Sequence, residues 1–229
     1  MNKGKTVGVI GGMGPAATVE FFRRLVSATP ARSDQEHLHV IIDDDPSVPD
    51  RTAAILGRGE DPTPVLIAMA RRLEGAGAEL LAIPCNTVHH YLPAIREAVA
   101  IPVLDMPAEA ASRVKADRVG LIATDGTIAS GIYQRAFSAR GIGLIIPEEA
   151  DQARVMRAID AIKSGEEPAG FAGEIAAVVS RLGDAGAAAV VAACTEISLI
   201  DRKMMPLPWI DALDALVEAT IREALKEEE

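Results

Sequence analysis

Two stretches of this chain end in the same way. Ala78-Glu79-Leu80-Leu81-Ala82-Ile83-Pro84-Cys85-Asn86-Thr87 and Ala187-Ala188-Ala189-Val190-Val191-Ala192-Ala193-Cys194-Thr195-Glu196 are apolar runs that stop at a cysteine and continue into small polar residues. Cys85 and Cys194 are the only cysteines. The match extends upstream: Arg72-Leu73 and Ala76-Gly77-Ala78 recur as Arg181-Leu182 and Ala185-Gly186-Ala187, at a constant offset of 109. The first apolar run, Val7 to Ile10, finds its counterpart in Val119 to Ile122 at an offset of 112. A duplicated β-α unit is the economical explanation, and it restricts the chain to architectures in which two similar halves can face each other.

The remaining pattern fills in those halves. Thr6 to Ile10 reads as a strand, Gly11-Gly12-Met13-Gly14-Pro15 as a turn with backbone N–H groups free to meet an anion, and Ala16 to Ser27 as a helix. His37 to Ile42 is a second strand, followed by a loop of carboxylates and prolines closed by Arg51. Asp61-Pro62 starts a helix that runs to the Gly75/Gly77 exit before the Cys85 strand. A helix with His89, His90, Leu92, Ile95 and Val99 follows, then a short strand at Pro102 to Leu104 and a helix from Pro107 to Val114. The pattern restarts at Arg118: strand to Ala123, helix from Ile128 to about Ala139, strand from Ile142 to Ile146, helices over 149–163 and Gly170 to Leu182, and the Cys194 strand. Leu207 to Ile210 and a helix from Ala212 to Lys226 close the chain.

Alternating strands and helices predict an α/β fold: two similar α/β domains with parallel sheets flanked by helices, related by pseudo-twofold symmetry. The expected division is 1–104 with Cys85, 105–210 with Cys194, and a C-terminal helix within 211–229 that packs back on the first half. Ligands of such sheets sit beyond the C-terminal strand ends. Both cysteines are therefore expected on opposite sides of one cleft between the domains.

Composition removes several classes of function. A net charge of −10 argues against nucleic-acid binding, which needs clustered Lys and Arg. No apolar run approaches the roughly 18–20 residues of a membrane span, and the polar start from Met1 to Lys5 has no secretory pattern, so a cytoplasmic protein with free thiols is expected. Two cysteines without a CxxC or a histidine pair at ligand spacing give no case for a metal site.

Two facing thiols can do what one cannot. A thiolate removes the proton from a carbon acid, and a thiol on the opposite face returns one, which inverts the carbon. A free thiol has a pKa of ~8.5, which a helix N-terminus lowers, and both cysteines precede expected helix starts. Asn86, Thr87, Thr124, Thr127 and Thr195 lie at expected strand ends, where they are donors for a carboxylate or for developing negative charge, or caps of the next helix. Glu196 is a candidate for the amino group of a substrate or for a cap, and His89 and His90 for thiol orientation or ordinary structural hydrogen bonding.

With those residues in view, the chain resembles the cofactor-independent aspartate/glutamate racemase superfamily, most closely its aspartate racemase branch. The matching pieces are GVIGGMGP (Gly8 to Pro15), VPDRT (Val48 to Thr52), IPCNTVHHY (Ile83 to Tyr91), IATDGTI (Ile122 to Ile128) and ACTEISL (Ala193 to Leu199), in the family's order. The resemblance implies a two-domain α/β fold with the active site between domains, Cys85 and Cys194 as the acid/base pair, no cofactor, and a homodimer. It implies that Arg51 and Lys163 hold the side-chain carboxylate of an acidic amino acid, and that Met13, Asn86, Thr87, Thr124, Thr127 and Thr195 line the pocket. Three positions depart from the family's pattern: Asp43-Asp44-Asp45 puts three carboxylates near Arg51, Ala192-Ala193 replaces a glycine before Cys194, and Ser198 stands where a proline is common. The acidic triplet would weaken the pull on an anionic substrate, or favour a neutral or cationic one.

Other readings account for less. Gly12-Met13-Gly14-Pro15-Ala16-Ala17 fits a dinucleotide fingerprint, with Asp43 to Asp45 ending the next strand, but leaves the repeated cysteine strands unexplained. Within the superfamily, an arylmalonate decarboxylase needs one cysteine. A hydantoin racemase has no use for Arg51 and Lys163, and a maleate isomerase or a broad-specificity racemase stays open. A non-catalytic amino-acid-binding protein has no reason to keep both thiols.

Overall fold

The computed structural model describes residues 4–226; Met1 to Lys3 of the polar start and positions 227–229 of the expected C-terminal segment lie outside the described residues. The first half runs β1 (Val7–Gly11), α1 (Pro15–Ala28), β2 (Val40–Asp44), α2 (Arg51–Ile55), α3 (Thr63–Gly75), β3 (Leu80–Ala82) and α4 (Leu92–Ala98). The second runs α5 (Met106–Ser112), β4 (Arg118–Ala123), α6 (Asp125–Ser130), α7 (Ile132–Ser138), β5 (Gly143–Ile145), α8 (Glu149–Lys163), α9 (Ala172–Asp184), β6 (Ala189–Ala193), β7 (Trp209–Asp211) and α10 (Ala212–Ala224).

All strand pairs are parallel, in the orders β2-β1-β3 and β5-β4-β6-β7. The register repeats the sequence offsets: Val7 pairs with Leu80 in one sheet and Val119 with Ala189 in the other. A side-chain contact repeats with it. A Cβ on Gly8 would lie 3.3 Å from Leu73 Cβ, and one on Gly120 would lie 3.2 Å from Leu182 Cβ. Both glycines let the helix before the cysteine strand settle onto the sheet.

Strand alternation sorts the apolar residues into layers. Val7, Val9, Leu80 and Ala82 from the first sheet and Val119, Leu121, Ala123, Ala189, Val191 and Ala193 from the second share one core with residues of α1, α5, α7 and α10. The opposite face of the first sheet packs Ile10, Leu81 and Ile83 against α3 and α4. The opposite face of the second packs Ile122, Val190 and Ala192 against α8 and α9. Helix α10 contacts both α1 and α5.

The structure departs from the expected elements where local chemistry overrides periodicity. The helix expected from Ile128 breaks at Gly131, whose left-handed φ of 68° separates α6 from α7. The strand expected at Pro102 to Leu104 reduces to a single bridge from Val103 to Leu81. The second strand slides toward the acidic triplet, because β1 continues to Gly11 and pairs Ile10 with Asp43 and Gly11 with Asp44. The loop ending in Arg51 gains a short helix, α2, capped by the Asp50 side chain accepting from Ala53 N–H at 2.6 Å.

Gly12 tests the β1–α1 turn. Its φ is 87°, and a Cβ there would lie 2.3 Å from the carbonyl carbon and oxygen of Asp45. Gly57 has a φ of 70° but open space around it. Gly57→Ala is therefore expected to lose about 1–2 kcal/mol from backbone strain alone. Gly12→Ala is expected to lose about 3 kcal/mol or more, since backbone must move as well. Urea denaturation of the two variants side by side checks the difference.

Candidate active site

The two cysteine strands end on one cavity. Cys85 follows β3 and Cys194 follows β6, and the alternation of each strand puts them on the helix-covered outer faces of their sheets. Both are buried, both are free thiols, and both line one small cavity. From the first half, Met13, Arg51, Asn86 and Thr87 join the lining; from the second, Thr124, Lys163, Thr195 and Glu196 do. Thr127 is absent from the lining and stands behind it. The structure adds three lining residues that the sequence did not assign to the pocket, Asp50, Thr52 and Ala193.

The threonines explain how the halves are held at this edge. Thr87 Oγ1 lies 3.1 Å from Thr124 Oγ1 and 2.8 Å from Thr127 Oγ1, and the Thr124 hydroxyl donates to Thr127 Oγ1 at 3.0 Å. Thr124 also caps α6, accepting from Thr127 N–H at 3.1 Å. Three buried hydroxyls thus close a triangle between a residue after the first thiol and the start of α6. A second link crosses beside it: the Tyr133 hydroxyl, from α7, donates to Asn86 Oδ1 at 2.5 Å. Tyr133 gave no sequence signal beyond its place on an apolar helical face.

Two cations face the cavity without a carboxylate. Arg51 donates from Nη1 to the carbonyls of Val48 and Pro49, both at 3.1 Å, and its Nε is buried with no partner. Among the described residues, no carboxylate oxygen lies within 4.0 Å of the charged nitrogens of Arg51 or Lys163. Desolvation pulls the Lys163 proton affinity down, but the acidic groups Cys194, Glu196 and Cys85 outweigh it and the net direction is up, which keeps the ammonium charged. Asn86 Nδ2 is a further buried donor with no partner. Orphaned donors of this kind are satisfied by an acceptor-rich ligand.

The acidic triplet does not reach the cavity. Asp43 pairs with Arg72 at 2.8 Å, and Asp45 accepts from the Ser47 hydroxyl and N–H at 2.6 and 2.9 Å. The concern that it would offset Arg51 is corrected accordingly. The glycine turn is corrected too: the space in front of Gly12 is filled by the Asp45 backbone, so the turn offers no cradle for a pyrophosphate.

At Cys194 the expected lowering by a helix N-terminus fails: the thiol is followed by a single 3-10 turn, Ile197–Leu199, too short to carry a helix dipole. Burial pushes the Cys194 thiol well above its ordinary value, and the Glu196 carboxylate pushes it further, against the pull of Lys163. The contact is direct: Cys194 Sγ donates to Glu196 Oε2 at 2.9 Å, and the Thr195 hydroxyl donates to the same oxygen at 3.3 Å. Ser198, in the following turn, donates to Asp211 Oδ1 at 2.7 Å, and Asp211 is bound in turn by Arg24 of α1 at 2.7 Å. That ion pair ties the stretch after Cys194 to the first half.

Fold and cavity together place the protein in a class. The chain belongs to the Asp/Glu/hydantoin racemase family, whose model matches residues 10–220, and it is an isomerase, an amino-acid racemase. Among solved structures, the aspartate racemase of Picrophilus torridus superposes with a TM-score of 0.87 at 33% identity, over 99% of this chain and 96% of that one. A putative Asp/Glu racemase from Yersinia pestis shares the fold at a TM-score of 0.81 and 24% identity, over 97% of this chain and 100% of its own. Among curated proteins, the broad specificity amino-acid racemase RacX of Bacillus subtilis (strain 168) is 26% identical over 94% of this chain and 96% of its own length.

His89 and His90 separate in the structure. His90 is exposed. His89 is buried, with Nε2 accepting from Met106 N–H at 3.2 Å, which leaves Nδ1 to donate to the Cys85 carbonyl at 2.9 Å. It holds the backbone at Cys85 rather than the thiol. Desolvation lowers its proton affinity, so the folded state keeps it neutral while the unfolded chain takes up a proton below about pH 6.5. The stabilisation from a neutral His89 is complete above that pH and is lost as pH falls toward the lowered folded value, at up to about 1.4 kcal/mol per pH unit. His89→Gln is expected to flatten this acid limb, so the stability gap between wild type and variant narrows between pH 7.5 and 5. Urea midpoints at the two pH values check it.

Proposed function

We propose that this protein racemises aspartate, and glutamate less well, by cofactor-free two-base proton transfer between Cys85 and Cys194. The observation that supports this reading best is the placement of two buried thiols, from equivalent strand ends of a duplicated fold, on one cavity that also holds two cations without acidic partners. The chain's likeness to an aspartate racemase at 33% identity over nearly its whole length supports the substrate.

In this mechanism one cysteine, as thiolate, takes the α-proton and becomes a thiol. The electron pair moves into the carboxylate, giving an enediolate. The other cysteine gives its proton to the opposite face and becomes the thiolate. Arg51 and Lys163 bind the side-chain carboxylate. Asn86, Thr87 and Thr195 donate to the α-carboxylate, where negative charge grows, and fixed donors there stabilise the transition state more than the ground state. Thr124 and Thr127 steady Thr87, Met13 forms an apolar wall, and Glu196 accepts the substrate ammonium. The contact with Glu196 favours a protonated Cys194 at rest, so catalysis that begins with a Cys194 thiolate rises with pH through the alkaline limb.

The relative named for broad specificity favours a second reading, a racemase of several amino acids, in which the cations set a preference rather than a requirement. The protein is further proposed to be a cytoplasmic homodimer. Val19, Phe22 and Val26, exposed by 68%, 39% and 41%, form an apolar stripe along α1 suited to a second copy. Among the described residues, no helix is long and apolar enough to cross a membrane.

Proton NMR in D₂O with each enantiomer of aspartate, glutamate and alanine, and no added cofactor, tests both readings. Loss of the α-proton signal together with loss of optical rotation is expected with aspartate first. Comparable rates on alanine would favour the broad reading, and no exchange on any amino acid would overturn both. Cys85→Ser and Cys194→Ser are each expected to lower racemisation at least about 100-fold while ligand binding by calorimetry persists. A binding protein would show no turnover to lose.

Arg51→Ala separates substrate recognition from chemistry. Loss of a charge-assisted hydrogen bond of about 1.5–3 kcal/mol predicts a fall in kcat/KM for aspartate of about 10- to 100-fold. The rate on alanine, which has no side-chain carboxylate, is expected to change much less. Steady-state kinetics on the two substrates checks the contrast.

A further inference from the structure

Asn86 is held from one side only. Its Oδ1 accepts from the Tyr133 hydroxyl, while its Nδ2 is buried without a partner and the residue lines the cavity. A carboxamide presents an acceptor on one edge and two donors on the other, so fixing one edge fixes the other. Rotated by half a turn, the same group would face a bound carboxylate with an oxygen.

The holding group is itself fixed. Tyr133 is fully buried on α7, and its ring packs at 5.8 Å from that of Phe137. Burial, reinforced by the Asp211 and Asp105 charges, keeps the phenol protonated and hence a donor. It reaches Asn86 from the other half of the molecule, next to the hydroxyl triangle that fixes Thr87.

Resting on the racemase mechanism above, we propose that Tyr133 is a positioning residue that fixes the Asn86 carboxamide so that Nδ2 points at the substrate carboxylate and at the enediolate formed from it. Tyr133 touches no substrate. It acts by removing the rotational freedom of a donor that is needed most when charge accumulates.

Tyr133→Phe, Asn86→Ala and the double variant test this, with thermal melts confirming that each is folded. Tyr133→Phe is expected to lower kcat for aspartate by about 10- to 100-fold with KM changed by less than about threefold. In the Asn86→Ala background the same change is expected to cost less than about twofold, because the group it positions is gone. Losses that multiply, or a Tyr133→Phe enzyme of wild-type activity, overturn the proposal.

A second readout is independent of turnover. The side-chain amide signals of Asn86 in ¹⁵N-labelled protein, assigned by their loss in Asn86→Ala, are expected to shift and broaden in Tyr133→Phe. Unchanged signals overturn the positioning role even if the enzyme racemises aspartate. A wild-type protein inactive on every amino acid instead overturns the racemase mechanism and leaves the amide measurement to decide the contact.

Discussion

Everything at the cavity depends on one apolar layer. The inner faces of both sheets pack on the same helices, α1, α5, α7 and α10, so the halves share a core instead of meeting at a polar seam. Burial of this kind contributes roughly 25 cal/mol per Å² of apolar area, far more than the few polar links at the cavity edge can. The links matter for a different reason. The hydroxyl triangle of Thr87, Thr124 and Thr127, the Tyr133–Asn86 bond and the Arg24–Asp211 pair each join first-half residues to second-half ones at strand ends. The core holds the halves together, and these bonds tie the residues beside the two thiols across the boundary between them.

The same division runs through the electrostatics. The buried charges are paired or capped: Asp211 holds Arg24, Ser198 and the start of α10, and Asp151 holds Arg181 and Arg154. The cavity is where this rule is suspended. Arg51 Nε and Asn86 Nδ2 are left without partners, and a carboxylate and a thiol share a hydrogen bond at Cys194. Two unsatisfied donors on the lining of one cavity mark a site that a ligand completes.

The fold was largely legible in the sequence because the duplication repeats contacts as well as letters. The glycine that opens space for Leu73 returns as the glycine that opens space for Leu182, and the strand register follows the two offsets. The cavity was legible where residues sit next to the thiols in sequence, as Asn86, Thr87, Thr195 and Glu196 do. It was not legible where placement depends on backbone detail. The Asp43 to Asp45 carboxylates turn away because Arg72 and Ser47 capture two of them. Gly131 breaks a periodic helix, and Tyr133 looks like any core aromatic until its hydroxyl is placed against Asn86. The acidity of Cys194 was misjudged for a similar reason, since periodicity cannot tell a long helix from a single 3-10 turn.

The repeat is not equally faithful everywhere, and the unevenness has a use. The thiols are true equivalents, each one residue type at the same point of its half. The two cations are not: Arg51 opens the short helix α2, whereas Lys163 closes the long helix α8. In the proposed mechanism such a cavity would hold a substrate by one end and leave its reacting carbon between the two thiols. Mirror-image ligands would then sit with the same end anchored and differ only in which thiol the α-hydrogen meets. On that reading the fold keeps its symmetry for the atom being exchanged and gives it up for the atoms being recognised.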